Sequence, residues 1–194
     1  MKFQAFRELV AASRSRRRFD ERVRVSEAQL KELVGLARLC PSTANRQAHK
    51  FKLVTEPEAC AAVFAQLGWA AALKDWPGPK EGERPTAYVL ILCDQQLAKE
   101  LPVDDGIVAQ TMLLGATAMG LGGCMFGNVK REALAEALHI DTARYHIAHV
   151  LAFGKPVEQV VIEELGPDGN VNYYRDEAGV HHVPKRSLDE LIVE

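Results

Sequence analysis

Residues 103–119, VDDGIVAQTMLLGATAM, constrain the fold more than any other stretch of the chain. Their spacing predicts one long helix opened by Asp104 and Asp105, with Ile107, Val108, Met112, Leu113, Leu114 and Ala116 spreading apolar side chains over most of its surface. Such a helix is buried on several sides, either centrally in a domain or against another subunit. It is not a membrane span: Met112–Ala118 and Ala59–Phe64, the longest apolar stretches, fall far short of the roughly 20 residues needed.

The remaining elements supply its partners. Tyr88–Cys93 is short and apolar throughout, the composition of a buried strand. Phe51–Val54 and His146–Phe153 read as further strands, and Cys124–Phe126 as a short extended run. Phe3, Phe6, Leu9 and Val10 predict a helix over residues 3–12 with one apolar face. Ser26 and Gln29 have capping-box spacing ahead of a second helix that Pro41 ends. Ala59–Leu73 and Lys130–Leu138 also read as helical, and the Pro- and Gly-rich stretch Trp76–Pro85 as a surface or interface excursion. Helices around a few short strands indicate an α+β or α/β layer structure. From Glu158 onward, turns at Pro167-Asp168-Gly169 and Ala178-Gly179 separate too few apolar residues for an independent domain. Tyr173, Tyr174, Val180 and Val183 still need partners, so residues 158–194 read as an arm packed over the domain formed by residues 1–157 or over a neighbouring protomer.

Composition narrows the partners. A net charge of -2 gives no general reason to expect nucleic acid. The amino terminus has no continuous apolar segment before a small-residue cleavage site, and Cys40, Cys60, Cys93 and Cys124 form no CxxC pair. They read as buried thiols in a reducing compartment, so a cytoplasmic location is expected.

Chemistry concentrates in a few places. Ser13-Arg14-Ser15-Arg16-Arg17-Arg18-Phe19 packs arginine forks and hydroxyls together, suited to a phosphate monoester or a flavin carbonyl, or simply to solvent as a charge run. Lys185-Arg186 is a second basic pair near the other end, and one phosphate gripped from both ends would explain both. The loop Pro41–Gln47 offers hydroxyls and amides to a planar polar ligand, or is only a good turn. The glycine run 120–127 follows a helix instead of opening one, which disfavours a Rossmann dinucleotide site. No metal site is expected: His181 and His182 are adjacent, and His146 and His149 stand three apart on a strand, so each pair faces opposite sides. Cys124 lies beside the glycine run without a recognisable base, and no GxSxG element is present.

In order, an ArgSerxArgxPhe element, a ProSerxxAsnxGln loop, a long buried helix running into GlyLeuGlyxCys, and a GlyxPro after a strand resemble the nitroreductase family of FMN-dependent enzymes, from Phe6 to Ile192. The resemblance implies a three-layer α-β-α version of the α+β class, with residues 1–157 as the flavin-binding domain. It also implies an interlocked homodimer with FMN between protomers, completed by the C-terminal arm. Arg14, Ser15 and Arg17 match the family's first flavin-binding element; Pro41, Ser42, Thr43 and Asn45 match the loop lying against the flavin. Met125, Phe126 and Gly127 match the segment crossing near the ring, and Lys185 and Arg186 the C-terminal phosphate contacts. The chain departs from the family in having one arginine before Ser15 and Gln47-Ala48-His49 after the loop, which makes His49 a polar substitute for an aromatic wall. The implied activity is transfer of reducing equivalents from NAD(P)H to a small electron-poor acceptor such as a quinone or nitroaromatic. Arg17 is the expected stabiliser of the reduced ring, and His49 or water the proton source. A flavin-storage protein with little turnover and a catalytically inert dimeric scaffold are the competing readings.

Overall fold

The computed structural model describes residues 2–99 and 102–193. Its centre is strand β3 (Ala87–Asp94), buried at every position. Alternation along it feeds two cores. Tyr88, Leu90 and Leu92 face one cluster with Cys60, Val63, Leu134 and Ala135; Ala87, Val89 and Ile91 face another with Leu30, Leu33, Val108 and Met112. The first cluster packs helices α3 (Pro57–Phe64) and α5 (Arg131–Ala137) on the sheet, and the second packs α2 (Glu27–Ala37) and α4 (Pro102–Ala118) on the opposite face. The result is three layers, helix–sheet–helix, as the continuous apolar strand requires.

The sheet is antiparallel throughout. β3 lies between β2 (His49–Val54) and the long β5 (Tyr145–Pro156), and the far edge of β5 is shared by β4 (Gly122–Phe126) and β1 (Phe19–Asp20). β1 reaches that edge because Gly154 lacks a side chain: a Cβ there would stand 2.7 Å from the ring of Phe19, which is fully buried. The tail adds a separate three-stranded sheet, with β8 (His181–Lys185) parallel to β6 (Val160–Glu164) and antiparallel to β7 (Tyr174–Arg175), followed by the short helix α6 (Leu188–Leu191).

Several local readings hold. Ser26 and Gln29 close a reciprocal capping box on α2, and the first helix, α1 (Phe3–Ala12), has the expected bounds. Its apolar face is not covered, however: no residue of α1 is buried, and Phe3 is 80% exposed. α4 turns Val108, Ala109, Met112 and Ala116 inward and leaves Ile107, Leu113 and Leu114 half-buried.

Two expectations need correction. The helix read over Ala59–Leu73 stops at Phe64, because residues 66–68 give their backbone groups to the stretch after β4. Lys130 N–H donates to the Gln66 carbonyl at 3.0 Å and Gly68 N–H to the Asn128 carbonyl at 2.9 Å. Helical i→i+4 bonding and this bridge compete for the same groups, and the tertiary pairing wins. His146 and His149 do not face opposite sides either. A register irregularity in β5 places them opposite Cys93 and Ile91, two residues on one face of β3.

Gly154→Ala should cost about 1–3 kcal/mol of stability, the range for overpacking a filled core. Urea denaturation of the two proteins measures it, and an unchanged midpoint would refute the tight Phe19 contact.

Candidate functional site

The arginine-rich segment after α1 folds along the free edge of β4. Ser15 bridges Gly123 in parallel, and Arg16 N–H donates to the Gly123 carbonyl at 2.8 Å. A run of like charges resists such compaction unless a counter-charge is supplied. Glu158, the first residue of the arm, supplies it. Its side chain is 1% exposed; Oε1 accepts from the backbone N–H of Arg17 and, at 3.2 Å, from that of Arg18, while Oε2 accepts from Arg175 Nη2 at 3.1 Å. Arg16 Nη1 donates to the Glu158 carbonyl at 2.7 Å, and Arg18 forms a two-pronged pair with Glu83 at 2.7 Å on both arms. Hydrogen bonding to Glu83 raises the Arg18 pKa, whereas burial pulls those of Arg16 and Arg175 down.

With Arg16, Arg18 and Arg175 committed in this way, Arg14, Ser15, Arg17 and Lys185 are left lining one pocket of about 160 Å³, together with Tyr173, His181 and Val183. Among the described residues Arg14, Arg17 and Lys185 form no ion pair; Arg17 lies over the Tyr173 ring, 5.0 Å from its centroid, and Arg14 Nε is buried without a hydrogen-bond partner. His181 is 2% exposed, its Nδ1 also lacks a partner, and burial followed by the nearby Arg17 charge pushes its pKa down to about 4. The arrangement is concave and cationic: three cations with donors to spare and, among the described residues, no carboxylate paired to them.

The other site residues lie elsewhere. Arg186 turns to Glu190 at 3.1 Å and lines a neighbouring groove instead. The loop after α2 borders a different cavity, of about 280 Å³, which Pro41 and Ser42 line with Gln47, His49, Phe51, Asp104 and Val108; no residue lines both cavities. The loop is strained, with Ala44, Asn45 and Gln47 at φ of 50°, 52° and 49°. Asp104 holds it by accepting from Thr43 N–H at 2.8 Å and Thr43 Oγ1 at 2.7 Å, and Ser42 Oγ accepts from Gln47 N–H at 3.0 Å. Asn45 Oδ1 accepts from Gln47 Nε2 at 3.1 Å. His49 is nearly buried, with Nε2 2.6 Å from Asp105 Oδ1. Met125 is exposed on β4, Phe126 is buried edge-on against Trp69 at 4.7 Å between centroids, and Gly127 lies next to the His149 ring. Cys124 is buried and its thiol pKa is raised by desolvation, which keeps it protonated and unreactive.

Sequence reasoning missed Glu158, Arg175, His181 and the clamping roles of Asp104 and Asp105. Asp104 and Asp105 were visible as helix openers, but nothing local marks a lone Glu158 as the partner of a segment 141 residues away.

Glu158→Ala should destabilise the fold by about 3–5 kcal/mol, because it strands buried Arg175 and two backbone donors. Urea denaturation checks this, and a loss below about 1 kcal/mol, the value of an exposed pair, would contradict the buried-clamp geometry. His181 generates a pH dependence of known sign. Its folded pKa lies below the ordinary value of 6.5, so between about pH 6.5 and 4 the unfolded chain binds the extra proton. Stability from this group is complete above that window and declines as pH falls through it, by up to about 1.4 kcal/mol per unit. Denaturation midpoints at pH 7, 6 and 5 should fall less steeply in His181→Asn than in the wild type, and equal slopes would exclude the effect.

Comparison with known proteins places this geometry. The family model for the nitroreductase family matches residues 10–155. The Bacillus subtilis (strain 168) protein YdgI, whose name assigns it to the NAD(P)H nitroreductases, is 25% identical over 192 residues, covering 82% of this chain and 92% of its own. Among solved structures, a nitroreductase-like protein of Desulfovibrio desulfuricans crystallised with FMN superposes with a TM-score of 0.69 at 22% identity, over 96% of this chain and 94% of its own. The enone reductase CLA-ER of gut-bacterial fatty acid saturation gives a TM-score of 0.66 at 21% identity, over 78% and 89%. A family match running from α1 to the end of β5, over the elements that build all three layers and the edge carrying the basic segment, means that the chain belongs to the nitroreductase family.

Proposed function

We propose that the protein is an FMN-dependent oxidoreductase that passes reducing equivalents from NAD(P)H to a small electron-poor acceptor such as a quinone or nitroaromatic. The observation that carries this reading is the meeting of Arg14, Ser15 and Arg17 with Lys185, from opposite ends of the chain, in one pocket that no carboxylate lines among the described residues. The pocket suits a terminal phosphate: Arg14, Arg17 and Lys185 line it and form no ion pair among the described residues. FMN, when bound, supplies the hydride chemistry that no side chain of this protein provides. Arg14, Ser15 and Lys185 bind the phosphate end. Arg17, steadied by the Tyr173 ring and by Glu158 at its backbone, is placed to offset negative charge on the reduced ring. Residues 125–127, at and just beyond the end of β4, would lie against the ring. His49, held by Asp105 through Nε2, or solvent is the proton source.

The loop Pro41–Asn45 and the basic pocket are complementary halves that one chain keeps apart, which supports a homodimeric site with the loop of one protomer facing the pocket of the other. The uncovered apolar residues Phe3, Phe6 and Val10 of α1, and Leu188, Leu191, Ile192 and Val193 at the carboxyl end, are the surfaces such a dimer would bury. In this reading residues 1–157 are the flavin-binding domain and residues 158–194 the arm that completes domain and dimer.

Reconstitution tests the cofactor. Arg14→Ala and Lys185→Ala should each weaken FMN binding by about 1.5–3 kcal/mol, the value of a hydrogen bond to a charged group. Unchanged affinity in both variants, measured by flavin fluorescence, would refute the phosphate assignment, and failure of NADH and NADPH to reduce bound FMN anaerobically would refute the enzyme. For the dimer, sedimentation should show a two-chain species that truncation after Leu165 weakens along with FMN binding. A full-length monomer binding FMN normally at micromolar concentration would defeat it.

A further inference from the structure

We propose that His181 is a ligand of the flavin phosphate, a neutral donor whose Nδ1–H points a hydrogen bond at a phosphate oxygen between the cations of the pocket. The inference rests on the FMN reading above and adds to it a residue that neither charge nor motif suggests.

Strand geometry places His181. Side chains alternate along β8, so His181, Val183 and Lys185 share one face, and these are the three β8 residues lining the pocket. His182 takes the opposite face, stacked on Tyr174 with ring centroids 4.7 Å apart and bonded to Glu163 and Asp176. The two adjacent histidines are thus sorted by the pleat into an anchored surface ring and a pocket ring. The pocket ring is nearly inaccessible, yet its Nδ1 has no hydrogen-bond partner among the described residues. A buried polar nitrogen left unpaired costs free energy, and native structures keep few of them outside functional sites.

The surroundings explain why a histidine stands here. Burial of the ring, joined by the charges of Arg17 and Arg175, keeps the imidazole uncharged against the opposing pull of Glu158. Another lysine or arginine at this position would add to the repulsion among Arg14, Arg17, Arg175 and Lys185. A neutral imidazole instead contributes a directed N–H with no added charge, and an anion in the pocket selects the tautomer carrying hydrogen on Nδ1. Tyr173, 5.2 Å from the imidazole between centroids, fixes the ring from the side.

Flavin fluorescence titration of the full-length chain with FMN and with riboflavin, which lacks the phosphate, separates the contribution. The wild type should prefer FMN. His181→Phe should lose FMN affinity by about tenfold or more while keeping that for riboflavin, and His181→Asn, whose amide N–H lies near the Nδ1 position, should recover most of the loss. A Phe variant with the wild-type preference for FMN overturns the proposal. If that variant loses both flavins together, nitrogen NMR of the wild-type imidazole decides. A His181 Nδ1 resonance that becomes hydrogen-bearing and shifts with FMN but not with riboflavin supports the contact, and one that FMN leaves unmoved overturns it. A wild type with no preference for FMN would instead overturn the phosphate assignment of the whole pocket.

Discussion

The basic pocket depends on one buried carboxylate. Four consecutive side chains of the segment after α1 include three arginines, Arg16, Arg17 and Arg18, which would splay into water if left to themselves. Glu158 gathers them by taking two backbone donors on one oxygen and Arg175 on the other, while its own carbonyl takes Arg16. A charge buried this deeply is costly unless every lone pair is used. Here the contacts also tie three separate parts of the chain to one point: the first residues after α1, the start of the arm, and β7. The free cations are free because the others are spoken for.

The sheet supplies the rigid frame on which that clamp acts. β5 pairs β3 along one edge and presents β4 and β1 along the other, so the basic segment is held between a bridge to Gly123 and the buried ring of Phe19. Close packing makes both ends exact in position: Gly154 admits Phe19 only because it has no Cβ. On the opposite side, Asp104 and Asp105 at the start of α4 do comparable work for the loop after α2. They hold three left-handed non-glycine residues in place through Thr43 and fix the following His49. The helix that looked central from its composition is central in a second sense, as the anchor of that loop.

Much of the fold was legible because it is written in local patterns. Continuous apolar character over Tyr88–Cys93 predicts burial on both faces, and the structure has a helical layer on each side of β3. The Ser26–Gln29 capping box is a contact between near neighbours and forms as read. Failures occur where a distant segment claims backbone groups. The helix after Ala59 ends early because residues 128–130 take the bonds that would have continued it, and a register irregularity in β5 reverses the facing of His146 relative to His149. No periodicity in a window of a dozen residues carries that information.

The candidate site divides along the same line. The sequence by itself determined which residue types are present at both ends of the chain, that the net charge makes the arginine cluster a local feature, and that no recognised nucleophile motif accompanies it. It also determined a layered mix of helices and strands, since alternation and capping are properties of neighbouring residues. Only the tertiary structure decided that Lys185 joins Arg14, Ser15 and Arg17 while Arg186 turns away to Glu190, because on β8 and the turn after it a shift of one residue reverses the direction of the side chain. It alone decided that Glu158 neutralises one part of the cluster and leaves another open. A carboxylate meets a partner 141 residues away only after the sheet has brought β1, β5 and the arm together, so its choice of partner is a consequence of the fold and not of the local sequence.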